Sequence, residues 1–289
     1  MSEEHTEPVD SAPAGFPRWM RVLAGLAALV FTAIQAQAHS PKPENQTQAT
    51  QEAYRPQARS QQERNDFNAA YALTVAANEE AAADDFANKY PTSELRRYLY
   101  SSAMLLYQRA NNSDKMLAMG NKVLELDPDN PLALVLTATA LANGLDDRDT
   151  DKADKVGTVK RNAARAIQIA EASYSGPAKT TQIYKSTLQA MAYSALGIMK
   201  LKTGDDAGAE KDLGQAAALA KIHPDPYVWY HLALAQDHRK KYAAALNSIK
   251  QALQLASSDP DLQKLAEVEN ERLAGLVKVT HDGEATEPQ

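Results

Sequence analysis

Residues 192–220 read AYSALGIMKLKTGDDAGAEKDLGQAAALA, and residues 228–256 read VWYHLALAQDHRKKYAAALNSIKQALQLA. With Tyr193 set against Trp229, 36 residues on, the two stretches fall into step. Leu196 meets Leu232, Gly197 meets Ala233, Ala209 meets Ala245, Leu213 meets Ile249, and Ala216 meets Ala252. A fixed period of this length, carrying two helical segments and a polar turn, marks a stacked repeat and not one globular core.

Each repeated position has a physical task. Tyr193 or Trp229, with a leucine three residues later, forms one face of a first helix. Gly197 and Ala233 must be small because a second helix crosses there. On that second helix Ala209/Ala245 and Ala216/Ala252 are again points of close approach, and Leu213/Ile249 fill the space between them. The polar turns are KTGDD and HRKKY, with Gly204 suited to a left-handed helix end. An ordinary Ala-rich bundle does not produce small-large-small in register twice.

These positions resemble the tetratricopeptide repeat family, whose 34-residue pattern runs W-x2-L-G-x2-Y, then A-x3-F-x2-A, then P. The chain departs from it at the inner Tyr of the first helix, which is Lys200 in one copy and Gln236 in the other. Neither copy has the closing Pro. The resemblance implies an all-α, right-handed solenoid of four to five antiparallel helix pairs, from about Asn65 to Val277.

Composition agrees with that reading. In 289 residues there are 12 Gly and 14 Pro but only 4 Phe and 2 Trp, which suits Ala-lubricated helices better than a β-rich fold. A net charge of −6 gives no electrostatic footprint for nucleic acid. Cysteine is absent, which excludes disulfides, thiolate metal sites, cysteine nucleophiles and a lipidated cysteine.

The first seventeen residues are acidic, contain Pro and read as disordered. Arg18 and Arg21 then precede an apolar run, Val22 to Ile34, broken only by Thr32, and Ala36-Gln37-Ala38 follows. A positive flank, a short apolar core and A-x-A together form an export signal over residues 1–38. The competing reading is an uncleaved N-terminal anchor over residues 22–38, a length at the short limit for spanning. Either sends the remainder across the membrane. Residues 39–64, rich in Gln and Pro, read as a disordered linker, and Asn45-Gln46-Thr47 matches a common glycosylation triplet.

Asn65 to Tyr90 reads as one long helix stopped by Pro91. FANKYPTSELRRYLYSSAMLLY resembles, over about twenty residues, extracytoplasmic repeat proteins of outer-membrane assembly. The next repeat places Tyr100, Ala103, Met104 and Tyr107 on a first helix, and Met116, Gly120 and Val123 on a second. Met116 in a small-residue position predicts looser packing. The repeat after it has Leu134, Thr137, Ala138 and Leu141, then Ala163, Ile167 and Ala170 arriving late behind an inserted acidic loop at about 144–156. Further extra residues lie around SYSGPAKTTQ. Asp261 to Val277 reads as a polar-faced capping helix, and residues 278–289 as a disordered tail.

Candidate chemistry is sparse. There is no Walker loop, dinucleotide motif, HExxH or nucleophile elbow. His231 and His238 share a helix face, but metal binding needs a third ligand, so a solvated or groove-lining pair is the better reading. Asp147, Asp149 and Asp151 follow a calcium-loop spacing, with Asp146 and Asp154 beside them, but the sixth position is Lys152 and the twelfth Thr158, which favours a solvated loop. No cofactor or metal is expected.

The resemblance implies ligand positions along the concave side of the first helices. They are Tyr98, Ser101, Leu105, Gln108 and Arg109, then Leu132, Val135, Thr139 and Asn143. Met191, Ser194, Ile198, Leu201 and Lys202 follow, and finally Tyr227, Tyr230, Leu234, Asp237 and His238. About half should face the groove, and the others pack against a neighbouring helix. Members that clamp a peptide carboxylate use Lys, Arg and Asn at such offsets. Here Ser, Leu, Ile and Tyr dominate, which suits an amphipathic helix or extended peptide. The reading is an extracytoplasmic, non-catalytic scaffold for a protein or peptide partner, with Arg109 and Lys202 adding orientation and no nucleic-acid partner. Its alternative is a single-pass anchored accessory subunit of a translocon or envelope-assembly complex, touching the membrane only through residues 22–38.

Overall fold

In the computed structural model, residues 57–173 and 179–284 are described, and all of their regular structure is helical. Helices α1 (Gln61–Tyr71) and α2 (Ala76–Lys89) lead into α3 (Arg96–Arg109) with α4 (Ser113–Leu126), and α5 (Pro131–Asn143) with α6 (Lys152–Ser173). Then come α7 (Lys179–Lys202) with α8 (Asp206–Leu219), α9 (Pro226–His238) with α10 (Tyr242–Leu255), and α11 (Pro260–Glu284). Successive helices pack on one another along the whole series, and α5 also packs on α7. This is the all-α stack of helix pairs that the repeat implies.

Side-chain caps and fixed turns explain why the helices start and stop where they do. Asn130 and Asp225 cap α5 and α9, each followed by Pro at the first helical position, where no amide is needed. Asp259 and Pro260 open α11 in the same way, with Leu262 N donating to the Asp259 carboxylate at 3.2 Å. Three pairs share one turn. Asn111, Gly204 and Lys240 have φ of 59°, 80° and 59°. The next residue's amide reaches back five positions, from Asn112 to Tyr107 O at 3.0 Å, Asp205 to Lys200 O at 2.9 Å and Lys241 to Gln236 O at 2.9 Å. Gly204 occupies the left-handed position without steric cost, whereas Lys240 holds it 36 residues later with a Cβ.

The repeat register holds in the packing. Ala209, Leu213 and Ala216 are fully buried, as are Ala245, Ile249 and Ala252. A Cβ added at Gly197 would lie 2.5 Å from Leu213 Cγ and 3.1 Å from Leu213 N, so α8 crosses α7 at van der Waals contact there. Gly120 does the same between pairs, its missing Cβ standing 2.6 Å from Thr137 Cγ2. Met116 is fully buried together with Met104 and Met119. Such adaptable thioethers fit irregular core space, and Met116 is enclosed although a small residue was expected there.

Four boundaries differ from the sequence reading. The single helix over Asn65–Tyr90 is two helices, broken at 72–75. The break lets Phe67 of α1 meet Phe86 of α2 edge to face at 6.1 Å, while stacking on Tyr71 at 5.5 Å. Helix α1 also begins inside the expected linker. Ser60 Oγ accepts from Glu63 N at 3.1 Å, and Glu63 Oε2 accepts from the amide of Arg59, just before the cap, at 2.6 Å, a capping-box-like pair that the S-x-x-E of residues 60–63 signals. The inserted segments lengthen helices more than they form loops. α6 and α7 run 22 and 24 residues against 14 for α4 and α8, and only 144–151 remains outside a helix in the acidic insertion. The register of α6 shifts too, with Val159, Ala163, Ala166 and Ala170 buried and Ile167 half-buried. At the far end α11 continues through Glu284 where a tail was expected from 278. Residues 1–56, which hold the export or anchor segment and most of the linker, lie outside the described residues.

Most buried residues form one continuous core from Ala70 to Ala235. A second cluster, with Ala233, Ala245, Ile249 and Leu273, seats α11 on the last pair. Trp229 is half-buried and touches both.

Candidate functional site

A cavity of about 220 Å³ opens between α7, the end of α8 and the start of α9. Ala190, Met191 and Ser194 of α7 form one wall, Leu219 and Val228 the other, and Ile222 stands at the mouth. Ile222 is 54 % exposed. The connection from α8 to α9 shapes the opening. Asp225 is buried at its end, accepts from Tyr227 N at 2.8 Å, and so fixes where α9 begins. Burial holds the Asp225 carboxyl well above the usual carboxylate range, and its backbone hydrogen bonds offset this only in part. Ser186 and Thr187, also on the wall, spend their hydroxyls on Ile183 O at 3.0 and 2.8 Å. The lining is therefore apolar in character despite its hydroxyl groups.

Of the residues expected to face a groove, Met191 and Ser194 come together at this cavity. They are largely buried, as are Ile198, Val135 and Thr139. Val135 has no exposed surface, and Thr139 turns its hydroxyl to Val135 O at 2.8 Å. Gln108 is a correction. It is 2 % exposed within α3 and offers no groove surface, because this turn of α3 is enclosed by its neighbours. Tyr98 and Ser101 are half-buried on the same helix. The Arg97 guanidinium lies 5.1 Å over the Tyr98 ring, and Ser101 donates to Arg97 O at 2.7 Å. Leu105, Leu132 and Leu201 are half-buried against the main core, and Arg109 is exposed.

Lys202 has a structural task that the sequence did not reveal. Its ammonium donates to Asn143 O and to Leu145 O, the latter at 3.2 Å, and so ties α7 to the end of α5. Burial lowers its pKa, with Asp146 and Asp149 opposing the shift. Asn143 itself donates to Thr139 O at 2.9 Å. The orientation expected of Lys202 toward a partner is thus largely given to the fold.

The last first-helix set is shared with α11. Tyr227 donates to Asp259 at 2.9 Å, and Tyr230 packs on the cluster beneath α11. Asp237 pairs with Arg272, and His238 reaches Asp206 on α8 at 2.9 Å. His231 instead donates from Nδ1 to Tyr227 O at 2.8 Å, and burial pushes it down to about 4, so its imidazole is neutral at pH 7. The two histidines thus serve different partners. Among the described residues no group of three or more metal-ligating side chains occurs. In the acidic loop Asp146 pairs with Arg148 at 2.8 Å, Asp147 with Lys152 at 2.5 Å, and Asp149 and Asp151 share Lys155 at 2.9 and 3.0 Å. The Arg148 guanidinium holds Asp146 well below the usual carboxylate range.

The cavity itself was not legible in the sequence, because half of its wall comes from the connection between two repeats. The one local signal was Asp225-Pro226, a helix start that pins that connection.

No protein-family model matches the chain, and no curated protein matches it. Among solved structures it is similar to the MamA protein, at 17% identity over 63% of this chain and 88% of that one, with a TM-score of 0.38. It is also similar to a chain of the APC/C hetero-tetramer Cut9-Hcn1, at 15% identity over 73% of this chain and 43% of that one, with a TM-score of 0.34. Neither likeness is strong enough to carry a functional argument.

Proposed function

We propose that the chain is a non-catalytic scaffold that holds a protein or peptide partner along its first helices, with the α7–α9 cavity as the anchoring point. The observation that carries this reading is an apolar cavity, lined by Met191 and Ser194, beside an aliphatic side chain left 54 % exposed. At about 220 Å³ the cavity is smaller than the sites that enclose cofactors or drug-sized ligands, roughly 300–1,000 Å³. It has room for one aliphatic or aromatic side chain presented by a larger partner. Docking would cover Ile222, and burying that apolar surface supplies the driving force. Filling the cavity by Ala190→Phe should abolish capture of the partner while leaving the melting temperature nearly unchanged. Capture that survives a filled cavity would remove this site from the reading.

The scaffold is further proposed to work outside the cytoplasm. Support comes from Arg18 and Arg21, the apolar run Val22–Ile34 and Ala36-Gln37-Ala38. Among the described residues no helix is long and apolar enough to cross a membrane. Retained, the N-terminal apolar segment would make the chain an anchored accessory subunit of an envelope complex. A reporter fused after Ala38 tests export, and the mass of the mature protein separates cleavage from anchoring.

A further inference from the structure

Far from the cavity, the N-terminal helices enclose a carboxyl group that the scaffold reading does not use. Glu79, in the first turn of α2, has no exposed surface, and neither of its oxygens has a hydrogen-bond partner of normal geometry. Both elements packed on α2 face it. From α1 comes the Tyr71 phenol, whose own pKa is raised by burial and then by Glu79. From α3 come Ser102 and the exposed Arg109. Its neighbour Glu80 is turned away, toward Tyr107 and Lys115.

An ionised carboxylate without partners is among the costliest groups to enclose, while a neutral acid is tolerated. Burial accordingly pushes Glu79 up to about 7, with Ser102 and Arg109 drawing it down by less. α1 and α2 form the first layer of the described stack, packed on α3 and joined to α4 by the Lys115–Glu80 and Lys122–Asp84 ion pairs. As the outermost layer, held to α4 only by these partly exposed ion pairs, they can open ahead of the rest.

We propose that the docking of α1 and α2 on α3 is proton-linked, closed when Glu79 is a neutral acid and loosened when it ionises. The direction follows from the raised pKa. The closed form binds the proton more tightly than the open one, so its added stability is complete below the ordinary value of 4.5. That stability is lost as pH rises toward about 7, and no further loss follows above it. Asp66, on α1, has its pKa lowered by Lys89 and Tyr90 and titrates below this window.

The test is hydrogen exchange of the full chain, read as protection factors corrected for intrinsic rates, from pH 4.5 to 8.5. Amides of α1 and α2 should lose protection on the order of 100-fold between pH 4.5 and 7, then level off. Glu79→Gln should flatten that profile, and so should Glu79→Met, which offers no polar group to bury. Amides of α5 and α6, whose shifted carboxylates Asp129, Asp146 and Asp149 titrate below this window, should show no such step in any of the three proteins. A flat profile in the wild-type chain, an unchanged slope in both variants, or an equal fall in α5 and α6 would each overturn the proposal.

Discussion

Lys200 Nζ stands 2.7 Å from the carboxylate of Asp212, linking the two helices of one pair at the position where the repeat pattern has tyrosine. The next pair makes the same link 36 residues on with different chemistry, Ser248 Oγ donating to Gln236 Oε1 at 2.8 Å. In the first clear repeat the tyrosine is kept, and Tyr107 reaches back to Glu80 on α2 instead. One geometric need, a polar tie inside the helix pair, is thus met by an ion pair and by a neutral hydrogen bond.

Removing half of the ion pair should cost more than exchanging it whole. Asp212 is buried, while Lys200 is partly exposed. Lys200→Ala leaves a buried carboxylate without its cation and should destabilise the chain by about 1–3 kcal/mol. The double change Lys200→Gln with Asp212→Ser copies the neighbouring pair and should recover most of that loss. Urea unfolding of the three proteins at pH 7 measures both.

Glycine replacements should divide by contact. Gly197→Ala places a Cβ against Leu213 and should cost about 1–3 kcal/mol, and Ala245→Leu should cost a similar amount at the equivalent crossing. Gly214 lies within α8 with no atom within 4 Å of its added Cβ. Gly214→Ala should therefore stabilise the helix by about 0.5–1 kcal/mol. Thermal melts of the three variants should move in these opposite directions.

The shared turn gives a second opposed pair. Lys240 holds a left-handed φ of 59° with a side chain, so Lys240→Gly should raise stability by about 0.5–1 kcal/mol. Gly204→Ala, at a φ of 80°, should lower it by about 1–2 kcal/mol. Calorimetry on both variants would show whether the two turns are equivalent.

Tyr227 belongs in part to the fold. Tyr227→Phe removes the donor to the buried Asp259, at the start of α11, and should cost about 1 kcal/mol. The loss should appear as faster exchange of α11 amides, with α3–α6 unaffected. Uniform loss of protection would mean that α11 does not depend on this bond.

The sequence made the repeated contacts legible because each rests on residue size at a fixed spacing. Gly197 against Leu213 and Ala245 beside Ile249 are where that spacing put them. It did not disclose the break between α1 and α2, where Ala-rich propensity runs through and the Phe67–Phe86 contact decides. The late arrival of Ala163 suggested a long loop, because counting residues cannot tell a loop from added helical turns. The candidate site was least legible of all. Gln108 and Thr139 hold groove offsets by position yet are enclosed, since burial depends on how closely the next pair stacks. Conversely, Ile222 lies between repeats, where the pattern assigns no role.

The scaffold reading turns on whether a partner protein covers the cavity mouth, and site-directed photo-crosslinking at Ile222 asks that directly. Benzoylphenylalanine in place of Ile222, compared with the same group in place of exposed Lys211 on α8, leaves the core untouched. The account predicts one discrete protein adduct from position 222, lost when Ala190→Phe fills the cavity, and none from position 211. Adducts of equal yield at both positions, or none at 222 in cells where the chain is expressed at its normal level, would contradict it.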